Sequence, residues 1–127
     1  MTHDEIDALD GEALAAEVAT RVMGWTQTIP WEGADEMWDC GDGLHEAVSG
    51  WDCWQPHRNI AQAHQVMENI CAHGFWCEIK SPFAPGELCW AGFTPWNTTG
   101  WNGQPDYRAS AQCIAAAISR CSLKVMA

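Results

Sequence analysis

Between Asn59 and Phe93 the spacing of the apolar residues changes period, and that change limits the folds open to the chain. In "NIAQAHQVMENICAHG", Ile60, Ala63, Met67, Ile70 and Cys71 recur on one helical stripe. Asn59 suits the cap at its start, and His73 and Gly74 suit its end. "FWCEIK" then alternates Phe75, Cys77 and Ile79 with Trp76, Glu78 and Lys80, and "ELCWAGF" follows after the turn-forming "SPFAPG". A helix leading at once into an antiparallel hairpin excludes an all-helical bundle and an all-β sandwich. The fold class is therefore α+β.

The flanks extend the pattern. "DGEALAAEVATRVMGW" offers Asp10 as an N-cap, Leu14, Val18 and Val22 at every fourth position, and Gly24 as a stop, which predicts a helix over about residues 11 to 23. Residues 26 to 58 carry Gly, Pro, Trp and acids without sustained periodicity and are expected to be a long loop; 94 to 104 form a second. A third short strand is expected near Pro105 to Ala109, and Ser110 is placed to cap a last helix with Ile114, Ala117, Ile118 and Cys121 on one face. The expectation is one domain over 1–127: an antiparallel sheet of two or three strands flanked by about three helices, an α/β/α sandwich.

Composition narrows the function. Seventeen acids against six Lys and Arg give a formal charge of −11, a field that repels phosphate backbones and anionic lipid, so direct nucleic-acid or membrane binding is not expected. No run approaches the length of a membrane span, and the acidic start "MTHDEIDALDGEAL" is unlike a signal peptide, which leads to the expectation of a soluble, intracellular protein. Seven cysteines, an odd number with no C-x-x-C pair, are expected to be free thiols, and those at 71, 77, 89, 113 and 121 to pack as small hydrophobes.

The residues also carry a resemblance. "VATRVMGW", Pro30–Trp31, the W-x-P of Trp54 to Pro56 leading into "NIAQAHQVMENICAHGF", and the closing "ASAQCIAAAI" are similar, in order, to the phage ABA sandwich domain family, over about residues 9 to 122. The resemblance implies an α/β/α sandwich from a phage or prophage genome, at work in the cytoplasm of the infected bacterial host, and implies no catalytic residues. The segments Glu32 to Gly50 and Thr94 to Gln104 look longer than the connections usual in that family, and both hold tryptophans.

No G-x-S-x-G, H-E-x-x-H or phosphate-loop motif is present, and nothing orients Cys53 and His57 as a nucleophile and base, so the expectation is a binding protein without catalytic residues or cofactor. Zinc is a remote alternative: Cys53, His57, His64 and Cys71 are suitable ligands, at spacings that match no zinc pattern. The acids of "DEMWDCGDG" lack the order of a calcium loop.

A ligand site fits better. The start of the Asn59 helix presents free N–H groups, Arg58 adds a forked donor, His57 lies beside it, and Trp51, Trp54 or Trp101 offers a face for a ring. That set suits a nucleotide-like immune signal of the host, sequestered as counter-defence. The alternative is an acidic, anti-CRISPR-like inhibitor in which Asp35, Glu36, Asp39 and Asp42 enter the basic groove of a host defence protein, with Trp38 and Trp96 as anchors. Exposed tryptophans would equally serve a homo-oligomer. "NTT" at Asn97 is a sequon without a use in a bacterial cytoplasm.

Overall fold

A computed structural model describes residues 1–81, 85–97 and 106–127. The chain is an α+β protein: two three-stranded antiparallel sheets with four helices packed against them. Helix α1 (His3–Asp7) is capped by Thr2, and its Ile6 is fully buried. Helix α2 (Gly11–Glu17) begins at Asp10 as expected and runs on through a π-helical turn, Val18–Val22. Gly24, at φ 72°, follows with the left-handed backbone that ends such a helix.

The expected loop over 26–58 holds a sheet instead. Strands β1 (Thr26–Thr28), β2 (Met37–Gly41) and β3 (Leu44–Ala47) pair in that order, with Trp38 opposite both Gln27 and Glu46. The β2–β3 connection is the two-residue turn Asp42–Gly43, with φ of 52° and 77°, the geometry in which Asp-Gly matches the twist of a hairpin. These strands span only three to five residues, and the residues opposite Trp38 are the polar Gln27 and Glu46, so no apolar period shows in the sequence.

Helix α3 (Ile60–Ala72) and strands β4 (Phe75–Lys80) and β5 (Cys89–Pro95) fall where periodicity placed them. The third strand, β6 (Tyr107–Ala111), lies two residues later than expected. Ser110 therefore sits inside a strand rather than at a cap, and Cys113 takes the N-cap position of α4 (Ile114–Met126) without a side-chain bond to the helix.

In the β4–β5–β6 sheet, register puts Cys77, Phe93 and Tyr107 in one row and Ile79, Ala91 and Ala109 in the next, on a single face. Helix α4 packs on β5 and β6, and α3 packs on α4 and β4. Phe93, Ala91 and Ala109 meet Ile118, Cys121, Val66 and Ile70 in the core, which continues into Leu14, Val18 and Val22. The nearly buried Lys124 fixes α1 to this block, donating to Asp7 at 2.9 Å and to the Arg108 carbonyl at 3.0 Å. All seven thiols are free; Cys89 and Cys121 are buried, whereas Cys113, expected to pack inside, is exposed. Among the described residues no helix is long and apolar enough to cross a membrane.

Candidate functional site

The loop from Gly50 to Asn59 is shaped by a few polar bonds. The Asn59 side chain accepts from the Gln62 N–H at 3.2 Å and caps α3. The Gln62 side chain turns back, accepting from the Gln55 N–H at 2.7 Å and donating to the Cys53 carbonyl at 3.3 Å. The Trp54 backbone N–H donates to the Ala47 carbonyl at 2.9 Å, which ties the loop to β3. The first turn of α3 thus holds the loop, and the loop holds the first sheet.

This arrangement separates the tryptophans expected to act together. Trp51 is 91% exposed and lines no described cavity, while Trp54 is 2% exposed, its ring edge-on to Trp25 at 4.6 Å. They form no paired stacking plate. Trp38, expected at an outer partner surface, is buried at 3%, because β2 is the central strand and its alternation turns this side chain inward. Trp96 is exposed at the end of β5, its N–H donating to the Gly74 carbonyl at 2.8 Å. Trp101 lies outside the described residues.

Trp54, His57 and Arg58 do come together, on a cleft in two parts. The first cavity, about 360 Å³, lies between the start of α2, the first sheet and the loop, with Trp38, Trp54, Val48 and Ala15 as apolar wall and Gln27 and Gln55 as amides. The second, about 560 Å³, lies at the start of α4 and is lined by Arg58, Arg120, Cys113, Gln112, Ser110 and Asp10. Gly11, His57 and Arg58 border both. Sequence reasoning missed Arg120 and Cys113: they stand far along the chain, and only the packing of α4 beside the loop brings them here. The Cys113 thiol donates to the His57 carbonyl at 3.4 Å.

Three buried polar atoms of the cleft residues have no hydrogen-bond partner among the described residues: Trp54 Nε1, His57 Nδ1 and Arg120 Nε. Native structures leave few such atoms, so three on the residues of one cleft mark it out from the rest of the surface. Arg120 donates to the Leu9 carbonyl at 3.1 Å and the Ser110 carbonyl at 3.5 Å, and neither it nor Arg58 pairs with a carboxylate among the described residues. Burial, then the Arg58 charge, push the His57 imidazole below its ordinary range against the pull of Asp10.

Other candidates resolve differently. Asn59 is spent on its capping bond. Asp35, Glu36, Asp39 and Asp42 are exposed in and around β2, and burial with neighbouring Asp52 holds the Glu46 carboxyl above the usual carboxylate range. His64 pairs with Glu68 at 3.2 Å, and among the described residues no three His, Cys, Asp or Glu side chains gather to hold a metal ion. Compared with models of protein families, with curated proteins and with solved structures, the chain finds no match.

Proposed function

We propose that the protein acts by binding rather than turnover, and that its two-part cleft holds a small nucleotide-like molecule. The observation that supports this most is the cleft itself: three buried polar atoms of its residues lack a partner among the described residues, beside two guanidiniums that form no ion pair there although Asp10 and Glu12 border the cleft, in a chain of charge −11. A cavity of this size and mixed lining suits a small organic anion. In this reading the first cavity, with Trp54 and Trp38 packed behind its lining, takes the ring, and Arg58 meets an anionic group. The resemblance to the phage ABA sandwich domain family, with its α/β/α layering, extends the proposal to counter-defence: a phage product that sequesters a nucleotide-derived signal in the cytoplasm of its host.

The test is a thermal shift with nucleotides and nucleosides, paired with mass spectrometry of small molecules that copurify from a bacterial host. A ligand at a hundred times its dissociation constant adds about 2.7 kcal/mol, or roughly 10 °C for a chain of this size. No shift with any nucleotide, and nothing bound on purification, refutes the reading.

A second reading has its own support. Asp39 and the Asp42 turn project from an exposed hairpin, and Trp31, Trp51 and Leu44 are largely exposed nearby in sequence. An acidic inhibitor of a host defence protein would use such a surface, with apolar anchors among charges. Its complex would weaken steeply with salt and on reversing the charge of Asp39 and Asp42.

A further inference from the structure

We propose that the second cavity is the oxyanion half of the ligand site: a phosphate group seats between the Arg58 and Arg120 guanidiniums over the first turn of α4, while the ring it is attached to lies in the first cavity. This rests on the small-molecule reading above and deepens it by naming which end of the ligand goes where.

The two halves of the cleft differ in chemistry. The first is lined by Trp38 and Trp54, only 3% and 2% exposed, with Ala15 and Val48, two amides and the Glu12 carboxylate, and the Trp54 Nε1 donor is buried without an acceptor among the described residues. That suits a planar ring bearing one acceptor atom. The second offers forked cations. Arg120 is anchored by carbonyls of Leu9 and Ser110, so its charge is oriented but not neutralised, and its buried Nε has no acceptor among the described residues. A partly buried guanidinium without an anion is unfavourable, and an oxyanion completes it with charge-assisted bonds.

The start of α4 adds donors of its own. Cys113 occupies the N-cap position and gives its thiol to the His57 carbonyl instead of to the helix, so the first N–H groups of this 13-residue helix lack a side-chain cap. Among the described residues Asp10 is the one carboxylate on this cavity's lining, and it accepts from the Gly11 N–H at 2.9 Å to cap α2. His57, bordering both cavities with Nδ1 unpartnered, stands where a hydroxylated link between ring and phosphate would pass. Ring, hydroxylated link and phosphate together describe a nucleoside phosphate.

The experiment is calorimetric titration of the whole protein with nucleoside 5′-monophosphates, the parent nucleosides and inorganic phosphate, repeated in Arg120→Gln, Arg120→Lys and Arg58→Gln, each checked for folding by circular dichroism. The monophosphate is expected to bind at least about tenfold more tightly than its nucleoside. That gain is expected to vanish in Arg120→Gln, where the nucleoside still binds as before, and to return in part in Arg120→Lys. Arg58→Gln, at an exposed residue without an ion pair, is expected to lower the gain and covers the case in which Arg120→Gln fails to fold. A monophosphate advantage undiminished in both Gln variants overturns this assignment and leaves nucleotide binding intact. Absence of binding by nucleotide, nucleoside and phosphate alike overturns both.

Discussion

Trp54 is the residue whose replacement separates packing from ligand chemistry. Its indole is 2% exposed, lies edge-on to Trp25, and belongs to the core shared by the first sheet, α2 and α3. An aromatic side chain buried to this degree removes some 150–250 Å² from water, about 4–6 kcal/mol at 25 cal/mol per Å². Truncation to alanine is thus expected to cost about 3–5 kcal/mol. At roughly 0.27 kcal/mol per degree for 127 residues, the melting temperature of Trp54→Ala falls by about 10–20 °C.

Trp54→Phe divides the effect. It loses three ring atoms of packing, about 2 kcal/mol, but also deletes a buried N–H without an acceptor among the described residues, whose burial is unfavourable by about 1–3 kcal/mol. The terms oppose, and the free protein is expected to melt within a few degrees of the unaltered chain, while stabilisation by a bound nucleotide shrinks. Melting followed by far-ultraviolet circular dichroism gives both values. If Trp54→Phe is as damaging as Trp54→Ala, the N–H is satisfied in the free protein, and leaving it for a ligand is mistaken.

Three further outcomes follow from single groups. Because His57 is held below its unfolded value, the unfolded chain takes up the proton first; stability is full above about pH 6.5, falls as pH drops from there toward the folded value, and this slope is expected to flatten in His57→Gln. Cys121 is buried and its thiol is pushed up to about 12, chiefly by burial, so stability is lost as pH rises past 9, by about 1 kcal/mol per pH unit; Cys121→Ala, measured by urea unfolding at pH 8 and 10, is expected to lessen that loss. Gly43→Val places a β-branched residue at φ 77° in the β2–β3 turn and is expected to destabilise by about 1–2 kcal/mol, whereas Asp42→Gly is nearly neutral; equal effects would contradict the turn geometry.

The elements legible in the sequence are those whose signal is local. Asn59, Asp10 and Gly24 mark helix ends because capping chemistry acts within a few residues, and Phe75, Cys77 and Ile79 mark a strand because its core face is continuous. The first sheet stayed hidden because its strands span three to five residues and its central one, "MWDCG", has Trp38 as its one buried side chain. Asp42–Gly43 is a hairpin signal, but it stands among the acids of "DEMWDCGDG" with no apolar alternation beside it to mark strands. Cys113 in place of Ser110 as the N-cap shows a related limit: β6 runs two residues further than its sequence signal, and a strand register outweighs a good capping residue.

The cleft is half legible for the same reason. Trp54, His57 and Arg58 are neighbours in sequence, and their chemistry can be read together; Arg120 joins them through tertiary packing. That join also answers the objection raised by the overall charge. At an ionic strength of 0.1 M, fields between exposed charges fade over about 10 Å, so most of the seventeen acids act on an approaching anion weakly and at a distance. A bound phosphate would instead meet two guanidiniums at contact in a partly desolvated cavity, where each charge-assisted bond is worth more. The acidic surface would slow the arrival of an anion without deciding how firmly it is held, and affinity would be set by Arg58 and Arg120.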